Sequence, residues 1–344
     1  MSRINKLKQF LEEHKIDALI INDPTNLFYL TGLSISTGTL VVSRSKTHLF
    51  VDGRYLLLAK EKNPCPVSLN SEEELKDFFS ANAKIGFDGG YFTYETWEAW
   101  QRRVEKWKKG NSLVSIDLKT LRLIKDPAEI AIMKRAADLT KKGFSHLQSL
   151  LKEGISEIEL ANEFTCFCLK HGASKTSFDP LIAFGVNTSY PHHRSGKTTL
   201  KKNDLVYMDL GVVLDNYCSD MTRPFFFGEK DPKLARIYDT VLKAQKKALS
   251  LCKPATLTSS LDQAAREVMA EAKLEEYFAH SLGHGVGLQI HEYPKIKWDV
   301  NKHLLLQEGM VITIEPGIYV EGLGGVRYED TIVIIKDGYE NFYA

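Results

Sequence analysis

The acidic residues best placed to do chemistry in this chain sit inside apolar, strand-like runs. Leu205-Val206-Tyr207-Met208-Asp209-Leu210-Gly211 reads as a strand, and Tyr217-Cys218-Ser219-Asp220-Met221-Thr222-Arg223 as its return. A tight turn centred on Leu214-Asp215 sets Asp209 opposite Asp220. The second hairpin runs from Val311-Ile312-Thr313-Ile314-Glu315 through Pro316-Gly317 and returns as Val326-Arg327-Tyr328-Glu329-Asp330. A turn centred on Gly322 sets Glu315 opposite Glu329, although a bulge would shift either register. Opposed residues bring their Cβ atoms to roughly 4.5–5.5 Å. Carboxylates that close repel unless a cation lies between them.

Imidazoles come from the segments around these hairpins. His280, His284 and His291 fall within one stretch of twelve residues, and His192 and His193 follow Pro191 in a loop. Gly283 and Gly285 flank His284, which favours backbone packed tightly around that ring. Asp209, Asp220, Glu315 and Glu329 with one imidazole make an oxygen-rich set suited to Mn²⁺ or to Co²⁺, Fe²⁺ or Zn²⁺. So many carboxylates exceed the need of one small ion, whereas two ions about 3.5–4 Å apart form a common hydrolytic arrangement. The expected cofactor is therefore two divalent metal ions. No HExxH, P-loop or GxSxG motif competes, and Gly322-Leu323-Gly324-Gly325 lacks dinucleotide-binding spacing.

The whole chain must position these groups. Its 344 residues suit two domains, with a boundary near residues 118–127, giving expected domains 1–120 and 121–344. The first reads as α/β: a helix over 3–14, strands at 18–21, 39–42, 48–51 and 113–116, and a helix over 94–108. Asp126-Pro127-Ala128-Glu129 opens a long helix with a capping box, and a second helix spans about 156–171. Strands then follow at 205–213, 217–227, 310–319 and 326–335, interrupted by a helix-rich segment over 231–274.

With 45 basic against 44 acidic residues, the net charge of +1 gives no basic face for nucleic acid and no membrane-surface signal. No apolar run reaches membrane-spanning length, and the start of the chain does not read as a signal peptide. Cys65, Cys166, Cys168, Cys218 and Cys252 are irregularly spaced and read as reduced thiols, which fits a cytoplasmic location.

The motifs Met208–Gly211, Cys218–Arg223, Gly283–Leu288, Ile314–Tyr319 and Gly325–Asp330 together resemble the creatinase/methionine-aminopeptidase (pita-bread) superfamily, in its aminopeptidase P and prolidase branch. Asp23–Gly32 resembles that branch's creatinase-type N-terminal domain. The resemblance implies an α/β (α+β) fold, with the N-terminal domain followed by a curved, mostly antiparallel sheet flanked by helices. It implies Asp209, Asp220, His284, Glu315 and Glu329 as metal ligands, with Asp220 and Glu329 bridging. Glu315 would be the general base, and His192 and His291 would act on the scissile peptide and its intermediate. His280 would line a proline pocket, Arg327 would orient carboxylates and Tyr319 would sit at the edge; His193 receives no role. The implied substrates are peptides with proline in second position, and the expected assembly is a homodimer.

The implied activity is Xaa-Pro aminopeptidase, with Xaa-Pro dipeptidase (prolidase) as the nearest alternative. An N-terminal domain of roughly 120 residues would be superfluous in a methionine aminopeptidase. The complete ligand set speaks against a metal-free creatinase-like amidinohydrolase and against a non-catalytic binding module.

Overall fold

The computed structural model describes residues 3–62, 65–79, 83–107, 110–300 and 303–344, in two compact units, Met1–Arg122 and Leu123–Ala344. In the first unit, the fully buried strand Ala18–Ile21 runs antiparallel to Thr39–Ser43 and parallel to Lys84–Asp88. The sheet has six strands, extended on one side by Thr47–Val51 and Val67–Leu69 and on the other by Ser112–Ile116. Burial of successive residues on this central strand explains its unbroken apolar run. The helix Tyr94–Trp107 buries Trp100, Val104 and Trp107; Lys108, the last helical residue expected, lies outside the described residues.

The second unit opens as the sequence dictates. Asp126 accepts from the Glu129 backbone while the Glu129 side chain reaches back to Asp126, and Pro127 starts the helix Pro127–Leu150. Ser156 and Glu159 form a second capping box on Glu157–Lys170. Such caps contribute about 1 kcal/mol each by satisfying otherwise orphaned N–H groups. These two helices bury Leu139, Leu147, Leu160 and Phe164 against the sheet of Leu181–Phe184, Leu205–Leu210 and Met221–Phe226. Helices Pro232–Leu249 and Thr258–Glu271 pack likewise on a five-stranded sheet whose centre is Val311–Ile314. Every pairing between named strands in this unit is antiparallel among the described residues.

The long strands expected from sequence are each broken near an acid. Leu205–Leu210 and Val212–Leu214 part at Gly211, and Tyr217–Cys218 and Met221–Phe226 part at Ser219-Asp220. Val311–Ile314 and Gly317–Val320 part at Glu315-Pro316, while Gly324–Arg327 and Asp330–Ile335 part at Tyr328-Glu329. Each chain segment thus leaves one ladder and enters another at its carboxylate or, for Asp209, two residues beyond it. An isolated backbone bridge between Thr222 and Glu329 joins the two halves, as does the Cys218 N–H bond to the Gly287 carbonyl at 2.8 Å.

One register differs from expectation. Asp209 pairs with Thr222, not Asp220, because the turn centres on Asp215-Asn216, both with positive φ (47° and 70°). Two left-handed residues make the tight turn that matches strand twist. The register is offset by two residues, so every side chain keeps its face, and Asp220 remains on the Asp209 side. The other hairpin is as expected. Ile314 pairs with Asp330 and Gly317 with Arg327, so Glu315 and Glu329 face each other between the two ladders, with Gly322 in the turn at φ 74°.

Candidate metal centre

Ligand atoms of Asp220, His284 and Glu329 lie within 4.8 Å of one another, in the lining of a cavity of about 630 Å³. His284 stands on the short strand Gly283–Gly285, paired with Glu292–Ile296 on one side and Val311–Ile314 on the other. The flanking glycines are required sterically. A Cβ on Gly283 would overlap the Thr313 carbonyl, and one on Gly285 the Tyr293 carbonyl. Both obstacles are backbone, which cannot rotate away. Gly285→Ala should therefore destabilise the fold by about 1–3 kcal/mol, the usual cost of overpacking. Thermal unfolding checks this, and an unchanged melting temperature would show that the strands can part freely.

The His284 Nδ1 atom lies 3.0 Å from the Gly285 carbonyl oxygen, which can only accept, so Nδ1 carries the proton. Burial, followed by repulsion from His291, lowers the His284 pKa to about 3, so the ring is neutral. Its Nε2 lone pair then faces Glu315 Oε1 at 3.3 Å and Asp220 Oδ2 at 3.6 Å. A lone pair aimed at ionised carboxylate oxygens is repelled by them, and a divalent cation between them would turn that repulsion into coordination.

The carboxylates make the same case. Burial pushes Asp220 well above its usual range, and repulsion from Glu329, Asp209 and Glu315 adds to it. Burial and then Glu329 do likewise for Glu315. Glu329 is raised to about 7, by burial first and Asp209 second. Asp209 is raised by burial against the opposing pull of Arg327, and its Oδ1 is buried with no hydrogen-bond partner. Divalent cations would offset this crowding, and hard oxygen donors with one imidazole suit such ions.

Around these groups runs a polar frame. Arg327 donates from Nη2 to Asp209 and from Nε to Thr222 Oγ1 at 3.1 Å, and its Nε lies 3.8 Å from Glu315. Thr222 in turn donates to Glu329 Oε2 at 2.7 Å. Thr313 accepts from the His284 backbone N–H at 3.0 Å and lies 3.3 Å from Glu315 Oε1. The sequence reading assigned neither threonine a role. Each stands two residues from an acid on the same strand face, the one signal that could have found them.

Four further histidines, His192, His193, His280 and His291, line the same cavity, as do Arg327, Phe178 and Ile290. His280 Nδ1 lies 2.8 Å from the Ser281 carbonyl, so its unprotonated Nε2 accepts from Tyr319 Oη at 3.0 Å. Arg327 donates to the same Tyr319 Oη at 3.2 Å, which fixes the hydroxyl's direction. The His291 ring meets His284 edge-on with centroids 4.4 Å apart, and burial, then His192, lowers its pKa. His192 lies in the loop after the helical turn Gly185–Ser189 and lines the cavity. Cys166, Cys168, Cys218 and Cys252 are free thiols, and no helix among the described residues is long and apolar enough to cross a membrane.

Known proteins share this architecture. Residues 131–336 match metallopeptidase family M24, and residues 3–124 match the creatinase/prolidase N-terminal domain. The chain is 36% identical to the Xaa-Pro dipeptidase of Pyrococcus furiosus over 98% of its own length and 96% of that protein's. The solved Xaa-Pro dipeptidase from Bacillus anthracis is 30% identical with a TM-score of 0.92, covering 99% of this chain and 96% of that one. The X-Pro aminopeptidase structure from Thermotoga maritima is 28% identical with a TM-score of 0.87, covering 96% of each chain.

Proposed function

We propose that this chain, which belongs to metallopeptidase family M24, hydrolyses the peptide bond preceding a proline and so releases the amino-terminal residue. The observation that supports this best is the meeting of Asp220, His284 and Glu329 in the wall of a histidine-lined cavity. Asp209, Asp220, His284, Glu315 and Glu329 would hold two divalent ions, Mn²⁺ being the ion the donor set favours. When bound, such ions supply a water that is deprotonated at neutral pH and a Lewis acid for the carbonyl.

The protein's own groups do the rest. Glu315, 3.3 Å from His284 Nε2, would take up the proton released as water attacks the carbonyl carbon. His291 and His192 would donate hydrogen bonds to the carbonyl oxygen as it gains negative charge. His192 would also carry a proton to the departing proline nitrogen. His280 and Tyr319, held in one direction by Arg327, would form a wall against which a rigid ring can rest.

A second reading concerns substrate length. The names of the P. furiosus and B. anthracis relatives favour a dipeptidase, and that of the T. maritima relative favours an aminopeptidase. Assay of Xaa-Pro dipeptides beside Xaa-Pro-Yaa tripeptides separates the two. On either, replacing proline by alanine should lower kcat/KM by at least about 10-fold, the equivalent of 1.4 kcal/mol in transition-state binding. Equal rates on proline and alanine peptides would move the activity to a general aminopeptidase.

A further inference from the structure

One buried acid and one histidine lie outside the roles given above. Glu157, the first residue of the helix Glu157–Lys170, has a side chain that is 0% exposed. Its carboxylate nevertheless has four hydrogen-bond partners, all from the segment 184–196, which runs from the end of the strand Leu181–Phe184 past His192. Oε1 accepts from the Phe184 backbone N–H at 3.0 Å and from Asn187 Nδ2 at 2.9 Å. Oε2 accepts from the Gly196 N–H at 3.0 Å and lies 2.8 Å from His193 Nε2. A carboxylate only accepts, so His193 Nε2 is the donor in this pair.

These partners bracket His192 on both sides. Its predecessor Pro191 offers its carbonyl to Arg327 at 3.4 Å, and its successor His193 is held by Glu157. The His193 backbone N–H also donates to the Tyr190 carbonyl at 3.1 Å, closing a tight turn around His192. The buried carboxylate thus sets where the next ring along the chain can point. Charge-assisted bonds of this kind are shorter and roughly twice as strong as neutral ones.

We propose that Glu157 and His193 form a positioning pair that fixes the loop presenting His192 to the substrate. The proposal rests on the peptidase reading above for what His192 does. His193 Nε2 is committed to Glu157, so that nitrogen is not available to carry a proton to the substrate. Loss of the pair would leave His192 attached but free to turn, and a misplacement of about 1 Å can cost on the order of 10²-fold in rate.

The test is a double-mutant cycle on whichever amino-terminal peptide the wild-type chain cleaves. A preference for a residue other than proline would overturn the reading above and leave the cycle readable. His193→Ala keeps three of the four Glu157 donors, so the metal-loaded protein should retain its ion content and melting temperature. Its kcat should fall roughly 10–10²-fold with little change in KM, and His193→Gln, which restores an N–H donor, should recover most of that loss. In a His192→Ala background, His193→Ala should cost nothing further, because residues acting through one another are not additive. The same fractional loss in both backgrounds, no loss in His193→Ala, no recovery in His193→Gln, or a parallel fall in ion content would each overturn the proposal.

Discussion

Asp220→Asn should lose bound metal and, with it, hydrolysis, while the metal-free variant unfolds at a temperature no lower than metal-free wild type. Changes to groups that merely support a ligand cost about 10–100-fold in metal affinity. Asp220 would itself hold metal, so its loss should exceed that range. The stability half of the prediction follows from the crowding of the site. Asp220 is buried among Glu329, Asp209 and Glu315, each of which disfavours its charge. Asparagine removes one of those charges and keeps the size. It can also donate an N–H to the His284 Nε2 lone pair, which now lies 3.6 Å from the Asp220 carboxylate. Ion content by elemental analysis, activity, and melting with and without metal check all three parts. Normal ion content in Asp220→Asn would remove Asp220 from the ligand set.

Glu315→Gln should separate holding metal from moving a proton. Glutamine keeps one oxygen donor and the reach to Thr313, but it cannot accept a proton at neutral pH. Ion affinity should fall, and saturating Mn²⁺ should refill the site. Turnover at saturation should still fall by roughly 10²-fold or more, the scale of a lost general base. KM should change little, since the substrate would meet the histidines rather than this side chain. Wild-type turnover at saturating metal would leave Glu315 a ligand only, and His192 would become the candidate base.

How far the sequence announced this site depends on which residue is asked about. Gly322 marked its turn because positive φ is easy only for glycine, and the Glu315–Glu329 register followed from it. The Asp215-Asn216 turn was harder, since neither residue is a glycine and a turn one residue earlier reads equally well. The two-residue offset kept Asp209 and Asp220 on one face, so the chemistry was legible although the pairing was not. The strand break at Gly211 was hidden by an apolar run that continues through it, whereas Glu315-Pro316-Gly317 carries a breaker signal inside the strand expected over 310–319. Thr222 and Thr313 were hidden for another reason. A threonine in a strand usually serves packing, and only contacts such as the 2.7 Å bond to Glu329 identify it as a partner of the acids. Glu157 carries no signal of its role in the sequence, because its partners lie about 30 to 40 residues further along the chain.

The central claim is that the carboxylates and His284 hold two ions without which no peptide is cleaved. Metal titration of exhaustively chelated protein, following bound ion and hydrolysis of an Xaa-Pro peptide together, tests it most directly. The stripped protein should show no turnover, two Mn²⁺ ions should bind per chain, and activity should recover as the site fills. Undiminished hydrolysis by the stripped protein would contradict it.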